Sequence, residues 1–572
     1  MERVLLCTVA LAALLAVLLV SRGPFLLHPL AQAKQLPVKD HIGAVASNAA
    51  PCSRIGINVL HEGGNAVDAA IAAEFCLSVI GMQWTGLGGG GYALVRGTDG
   101  SYDFVDFRET APASASRDMY HNNINASIHG GLASGVPGQL RGLEYMHRHY
   151  ASRSWSSLIR PSIHVARQGF RVSAELASAI EEEGPNSFLL TDDTWAIDFA
   201  PNGTNLVKGD MMTRKRYADF LEAIAHQGPD AFYRGPFANA TIRAIRKANG
   251  TMTLQDLLAY SVISRKALAI KYKDFKIVSC GAPAGGSVVL STLNIVGGYE
   301  SIHEPSEIHL STYRLDQAMR FAFGQRMKLG DPSFVAHMDQ FEDYMISTST
   351  ATDIRSRISD THTLPLSAYN PDNMTSPESH GTSHVSSADK HGMAVSMTTS
   401  LNLGFGSHVM VPETGLILNN EMNDFSMPNV SNEYSYLPSD ANFIAPGKRP
   451  LSSMSPAIAE VLSDGHIFLL TGAAGGSKII TSTIQSLWHN LELNMSIDAA
   501  AAAPRFHDQL MPNEVLFEYT FDNHTVAFLR DRGLNVTWVQ GLTYVQTVRR
   551  QPNGTFQAVA EPRMDDAGGY AI

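Results

Sequence analysis

The chain has 572 residues, 44% of them hydrophobic, with 47 Gly and 27 Pro, an ordinary globular composition able to bury a large core. A formal net charge of -11 argues against a nucleic-acid binder and gives no sign of a basic membrane patch. A folded body acting on a small molecule suits that balance.

In chain order, Met1-Glu2-Arg3 precedes an apolar run from Val4 to Val20, 17 residues long. That is long for the core of a signal peptide and at the short limit for a spanning helix. A signal-anchor with the body outside is the first reading, and a signal peptide cleaved near Ala31-Gln32-Ala33, within residues 1–33, is the second. Either sends the chain into the secretory pathway, as a type II membrane protein with an extracellular or luminal body or as a secreted or vacuolar product. Ten sequons agree: Asn125, Asn202, Asn239, Asn249, Asn373, Asn429, Asn494, Asn523, Asn535 and Asn553.

Residues 34 to 41 read as a tether, and Ile42 to Ser47 as a strand. Cys52 to His61 and Ala66 to Ile80 read as helices, the second Ala-rich and buried in character. Cys52 and Cys76 flank this pair; their spacing alone leaves a bridge and two buried thiols both open. Gly86 to Gly91 satisfies G-x-G-x-x-G, but a helix precedes it and the strand Tyr92 to Val95 follows, the reverse of a dinucleotide site. A tight helix-to-strand turn is the better reading.

Tyr102 to Phe107 alternates as a strand and ends at Arg108-Glu109-Thr110-Ala111-Pro112. Pro137 to Gly330 reads as mostly helical, with core stripes at Tyr217, Phe220, Leu221 and Ile224 and at Leu315, Ala318, Met319 and Ala322. Glu181 to Glu183 reads as a solvated helix end, and Ser349 to His380 as an irregular surface segment. Beyond it the pattern turns strand-rich: Ser383 to Ala388, Met393 to Ser400, Gly415 to Leu418 and His466 to Thr471. Gly475-Gly476 then open a helix running to about Leu491.

The stretch Gly381-Thr382-Ser383-His384 carries the chemistry. An internal threonine hydroxyl has no base of its own. Cutting the Gly381–Thr382 bond would place a terminal amine beside it, and that amine, with a reference pKa of about 8, can take the proton. The motifs that follow are Thr398-Thr399-Ser400-Leu401-Asn402, Asn419-Asn420-Glu421-Met422-Asn423-Asp424-Phe425-Ser426, Pro450-Leu451-Ser452-Ser453 and Gly472-Ala473-Ala474-Gly475-Gly476. In this order the chain resembles the γ-glutamyltransferases (γ-glutamyl transpeptidases, glutathione hydrolases) of the N-terminal-nucleophile hydrolase superfamily, from about Ile42 to the C-terminus.

The resemblance implies an α+β fold, a four-layer αββα sandwich formed jointly by a large subunit, 34–381, and a small subunit, 382–572, after self-cleavage. It implies a Cys52–Cys76 disulfide. Thr382 becomes the nucleophile, Ser400 orients its amine, and the backbone N–H groups of Gly475 and Gly476 form the oxyanion hole. Arg108, helped by Ser452 and Ser453, takes the substrate α-carboxylate, for which a planar guanidinium is well shaped. Asn402, Glu421 and Asp424 take the α-ammonium, which offers only donors. Donors are glutathione and its conjugates, acceptors are water, amino acids or short peptides, and no metal or organic cofactor is required.

Two departures from the family pattern stand out. Gly404 sits where animal relatives often place a tyrosine over the site, so a looser lid is expected, and the tail Arg563 to Tyr570 follows the family only loosely. The competing readings are a same-fold amidohydrolase with another acyl donor and a processing-dead surface binding protein. No G-x-S-x-G and no H-E-x-x-H supports a serine triad or a zinc peptidase.

Overall fold

The computed structural model describes residues 41–300, 302–375, 381–428 and 437–572. The Val4–Val20 run and Asn429 lie outside them. Two antiparallel sheets lie face to face. The first has seven strands: β1 (Gly43–Ser47), β2 (Gly90–Arg96), β3 (Tyr102–Asp106), β4 (Ile263–Arg265), β7 (Ser383–Asp389), β8 (Ala394–Ser400) and β13 (Gly568–Ala571). Their order is β13-β1-β7-β8-β2-β3-β4. The second has six: β5 (Leu268–Tyr272), β6 (Phe275–Ser279), β9 (Ala457–Val461), β10 (Ile467–Ala474), β11 (Tyr544–Arg550) and β12 (Phe556–Val559), in the order β12-β11-β10-β9-β6-β5.

Strands β1, β2, β7 and β8 are buried along their whole length, as fits strands covered on both faces. In β1, Ala44 and Ala46 point between the sheets, while Val45 joins the core under the helices. In β2, Tyr92 and Leu94 face the inter-sheet layer and Ala93 and Val95 face outward to the helices. Helices α1 (Ala50–His61), α2 (Ala66–Ile80) and α3 (Gln139–Tyr150) cover the first sheet; α4 (Gly286–Val296) and α6 (Ile479–Leu491) cover the second. The expected αββα layering is the observed one.

Every residue of α2 is buried, and a capping box closes its start, Asn65 accepting from the Asp68 N–H and Asp68 accepting from the Asn65 N–H. Cys52 and Cys76 are bonded, tying α1 to α2 with Cα atoms 5.2 Å apart. The glycine run is a packing device. A Cβ on Gly88 would stand 2.0 Å from the Ile417 carbonyl oxygen, and one on Gly89 2.0 Å from that of Ser400. Only bare backbone lets this turn lie against the end of β8.

Some expectations need correction. The stretch read as irregular from Ser349 is so only in part: 358–365 and 370–373 have no regular structure, but Thr348–Arg357 is a helix, capped by Ser347 accepting from the Thr350 N–H and anchored by buried Ala351 and Ile354. The segment Pro137 to Gly330 also supplies β4, β5 and β6 beside its helices. The strand at Gly415 to Leu418 shrinks to Leu416–Ile417. Among the described residues no helix is long and apolar enough to cross a membrane. All nine described sequon asparagines are exposed.

Candidate active site

Thr382 immediately precedes β7 near the middle of the first sheet and is 7% exposed. The Gly475 N–H donates to its Oγ1 at 2.8 Å. Gly475 ends the link from β10 of the facing sheet into a short 3-10 turn, Gly476–Lys478, and then α6. Both glycines have positive φ, 133° and 64°, a conformation a side chain would strain. Thr382 of one sheet therefore meets the glycine pair of the other, beside a helix start that favours negative charge.

Gly381 has φ 82°, and a Cβ there would collide with the Trp84 ring at 2.4 Å. Its carbonyl accepts from the Ser400 hydroxyl at 2.9 Å, and Ser400 Oγ in turn accepts from the Asn402 N–H at 2.7 Å. This differs from the expected bond between Ser400 and the Thr382 amine. In a continuous chain the Thr382 nitrogen is a peptide amide, and the hydroxyl bonds the carbonyl next door instead. Trp84 also faces Gly404, where an added Cβ would lie 3.6 Å from the ring.

The charged cluster sits on the other side. Arg108 follows β3 and is 1% exposed, its Nη1 2.9 Å from a Glu421 oxygen and its Nη2 bonded to Asp424. Glu421 and Asp424 come from one 3-10 turn, Glu421–Asp424, whose start is held by the Glu421 N–H donating to Asn419 Oδ1. Asn402 joins it by donating from Nδ2 to the Asn420 carbonyl at 3.2 Å. Ser452 and Ser453 are buried nearby; Ser452 Oγ accepts from the Met454 N–H, and Ser453 Oγ accepts from Arg326 Nη2 at 3.2 Å.

Two residues given no role from sequence belong here. Glu109 is fully buried 3.8 Å from the Arg108 guanidinium, and Arg326, at the end of α5 (Ile308–Arg326), backs Ser453. Burial lifts the Glu109 carboxyl to about 8 against the pull of Arg108, and lifts Glu421 well above the usual carboxylate range. Burial works against the charge on Arg108, but Glu421 and Asp424 outweigh it and hold the guanidinium protonated. Arg326 is lowered by burial to about 10, partly offset by Asp424.

Both oxygens of Glu109, Oε1 of Glu421 and Oδ1 of Asp424 are buried without a hydrogen-bond donor, while Glu421 Oε2 is ion-paired with Arg108. Unpaired buried acceptors cost roughly 1–3 kcal/mol each, so the cluster suits a ligand rich in donors. Among the described residues, no group of three or more His, Cys, Asp and Glu is arranged to hold a metal ion. Two histidines are buried and bonded to hydroxyls: His384 bonds Thr398 and Ser386, and burial lowers it to about 3; His507 bonds Thr481 and is likewise lowered to about 3.

The two facing sheets, with Thr382 at the head of a central strand, define an enzyme of the N-terminal-nucleophile hydrolase fold. The crystal structure of cephalosporin acylase from Bacillus halodurans superposes with a TM-score of 0.79 at 26% identity, over 93% of this chain and 96% of that one. The family model described as gamma-glutamyltranspeptidase matches residues 52–571, and the chain belongs to that family. It is 46% identical to the glutathione hydrolase proenzyme of Arthroderma benhamiae, over 94% of this chain and 95% of that protein. Identity to the glutathione hydrolase of Aspergillus flavus is 43%, over 92% and 89%.

Proposed function

We propose that the chain cuts itself between Gly381 and Thr382 and then transfers the γ-glutamyl group of glutathione and its conjugates to water, amino acids or short peptides. The observation that carries this reading is the pair of hydrogen bonds around one peptide link: Gly475 N–H to Thr382 Oγ1 at 2.8 Å and Ser400 Oγ to the Gly381 carbonyl at 2.9 Å. In the self-cleavage step, Thr382 Oγ1 attacks the Gly381 carbonyl carbon while Ser400 donates to the developing oxyanion. The C–N bond breaks, the nitrogen takes the proton, and water hydrolyses the resulting ester. The freed amine then serves Thr382 as its base.

In turnover, Arg108 with Ser452 and Ser453 grips the α-carboxylate, and Asn402, Glu421 and Asp424 the α-ammonium. A glutamyl group held by both has one free end, its side-chain carbonyl, which meets Thr382. The Gly475 and Gly476 N–H groups stabilise the oxyanion, the amine half leaves, and water or a second amine resolves the acyl-enzyme. Residues 34–381 and 382–572 would remain paired, because β1 lies between β13 and β7 and β2 beside β8, so the two pieces interleave in one sheet. An N-terminal signal-anchor or signal peptide would deliver the body to the secretory pathway, with support from the disulfide and the exposed sequons.

Purified protein offered γ-glutamyl and α-glutamyl isomers of one amide should release amine only from the γ isomer; release from neither would end this reading. The likeness to a cephalosporin acylase favours one alternative, a same-fold amidohydrolase acting on another acyl donor. A glutaryl amide cleaved as well as the γ-glutamyl amide would select it.

A further inference from the structure

The head of β7 runs past the end of the strand that pairs with it on one side. Register between β1 and β7 goes from Gly43↔Asp389 to Ser47↔Val385 and stops there, whereas β8 continues alongside as far as Ser383↔Thr399. Ser383 and His384, which follow Thr382, therefore have a strand on one side only. On the open side stands Asn48, the first residue after β1. Its Oδ1 accepts from the His384 N–H at 2.8 Å and from the Ser383 hydroxyl at 3.2 Å, and its Nδ2 donates to Met564 Sδ at 3.4 Å.

The carboxamide is held one way round. Donors face its oxygen, and a thioether, which has nothing to donate, faces its nitrogen; a flipped amide would set N–H against the His384 N–H. Asn48 is also backed by rigid structure. Two residues on, the Ala50 N–H donates to the Asp566 carbonyl at 2.6 Å and α1 begins, tied to α2 by the Cys52–Cys76 bond.

We infer that Asn48 is a positioning residue for the nucleophile: its side chain takes the place of the missing strand and fixes the head of β7, and with it the Thr382 hydroxyl, once the bond to Gly381 is cut. The inference rests on the self-cleaving γ-glutamyl reading above. Before the cut, Thr382 is held from its N-terminal side as well, because Gly381 lies against the Trp84 ring and accepts from Ser400. The cut releases that end, and the Gly475 N–H that bonds Oγ1 is the one the oxyanion requires. Residue 382 is then placed by the two residues after it, and Asn48 bonds both, from the other piece of the chain. Among the described residues its side-chain hydrogen bonds go to Ser383, His384 and Met564, none of them in the clamp.

The test compares Asn48→Leu, which removes donor and acceptor at similar size, with Asn48→Asp, which keeps the acceptor. For each, kcat/KM for a γ-glutamyl amide is measured per cut chain, beside the inhibition constant of free glutamate, which requires the clamp alone, and the rate of self-cleavage. Misplacing a reacting group by about 1 Å costs on the order of 10²-fold, so Asn48→Leu should lose about 10²-fold in kcat/KM while its glutamate constant stays within about threefold and its self-cleavage within about tenfold of wild type. Asn48→Asp should recover at least about tenfold of the loss, since a carboxylate accepts the same two bonds. A residue serving the fold alone would lower the yield of cut chain and leave the rate per cut chain unchanged.

Wild-type kcat/KM in Asn48→Leu, or a loss that Asn48→Asp does not reverse, would overturn the inference and leave the γ-glutamyl reading intact. So would a folded Asn48→Leu chain that stays uncut, because the anchor would then act before the cut. If Asn48→Leu does not fold, Ser383→Ala decides: losing one of the two bonds to Oδ1 should lower kcat/KM about three- to tenfold with the glutamate constant unmoved, and an unchanged kcat/KM would overturn the inference. A wild-type protein that cleaves no γ-glutamyl amide would instead overturn the reading beneath it.

Discussion

Ser400→Ala tests the chemistry of self-cleavage at a single oxygen. The wild-type hydroxyl donates to the Gly381 carbonyl at 2.9 Å and accepts from the Asn402 N–H at 2.7 Å. Its first bond strengthens as the carbonyl oxygen takes on charge, so its loss acts on the rate. Removing one donor from an oxyanion site costs about 2.7–4 kcal/mol, or about 10²–10³ in rate. Its second bond is ground-state support, and leaving the buried Asn402 N–H unpaired costs stability of roughly 1–3 kcal/mol. Ser400→Thr keeps both bonds. The assay is a pulse-labelled full-length chain followed on a denaturing gel for the appearance of residues 382–572. Ser400→Ala should cut about 10²–10³ more slowly than wild type, and Ser400→Thr within about tenfold of it. A Ser400→Ala chain that cuts at the wild-type rate would refute the reasoning, because the carbonyl would then be polarised by some other group.

Three further outcomes follow from the buried charges. With Glu109 lifted by burial to about 8 and Glu421 well above the usual range, the empty clamp carries protons at pH 6. An α-ammonium favours the ionised carboxylates, so donor binding should release protons and donor KM should fall as pH rises from about 6 to 8; calorimetry in buffers of different ionisation enthalpy would contradict this by showing proton uptake. Arg326→Gln should raise donor KM by about 10- to 100-fold with little change in kcat, since a charged hydrogen bond through Ser453 is worth about 1.5–3 kcal/mol; an equal fall in kcat alone would place Arg326 elsewhere.

The third concerns Glu74 in α2, which accepts from Gln139, Thr85 and Thr399 and is raised by burial from 4.5 to about 7. A carboxyl with a raised folded-state pKa binds more protons folded than unfolded between pH 4.5 and 7, so its share of stability falls as pH rises through that window. Glu74→Gln carries no such term. In the uncut Thr382→Ala background, its denaturation midpoint should gain on the Glu74 protein by about 3 kcal/mol between pH 4 and pH 8. A constant difference would mean that Glu74 titrates alike in the folded and unfolded chain.

Much of the fold was legible because its signals are local. The Ala-rich α2, the strand after Thr382 and the glycine turn each carry their own pattern. The order of motifs around Thr382 pointed to a candidate site, and the folded chain brings three of its residues, Arg108, Glu421 and Asp424, into contact although more than 300 residues separate the first from the others. What escaped depends on tertiary context. The helix Thr348–Arg357 is rich in Ser and Thr and has no long apolar stripe; its Ser347 cap and two buried side chains hold it, overriding weak propensity. Arg326 ends a helix whose apolar stripe reads as core, and an arginine in a last turn is the usual partner of the helix dipole. Nothing in the sequence says that it turns inward to Ser453. Ser400 was read as orienting a free Thr382 amine, which exists only after the cut; in the continuous chain its hydroxyl bonds the Gly381 carbonyl.

The central claim is that Thr382 acquires its base by cleavage of the bond before it. The most direct test is N-terminal sequencing of the smaller chain from deglycosylated wild-type protein, beside Thr382→Ala, with γ-glutamyl amide hydrolysis measured on the same samples. The account predicts a 191-residue chain beginning Thr-Ser-His-Val in wild type, an uncut and inactive Thr382→Ala protein, and activity rising in step with the cut fraction. Full activity from a wild-type chain that remains uncut would contradict it.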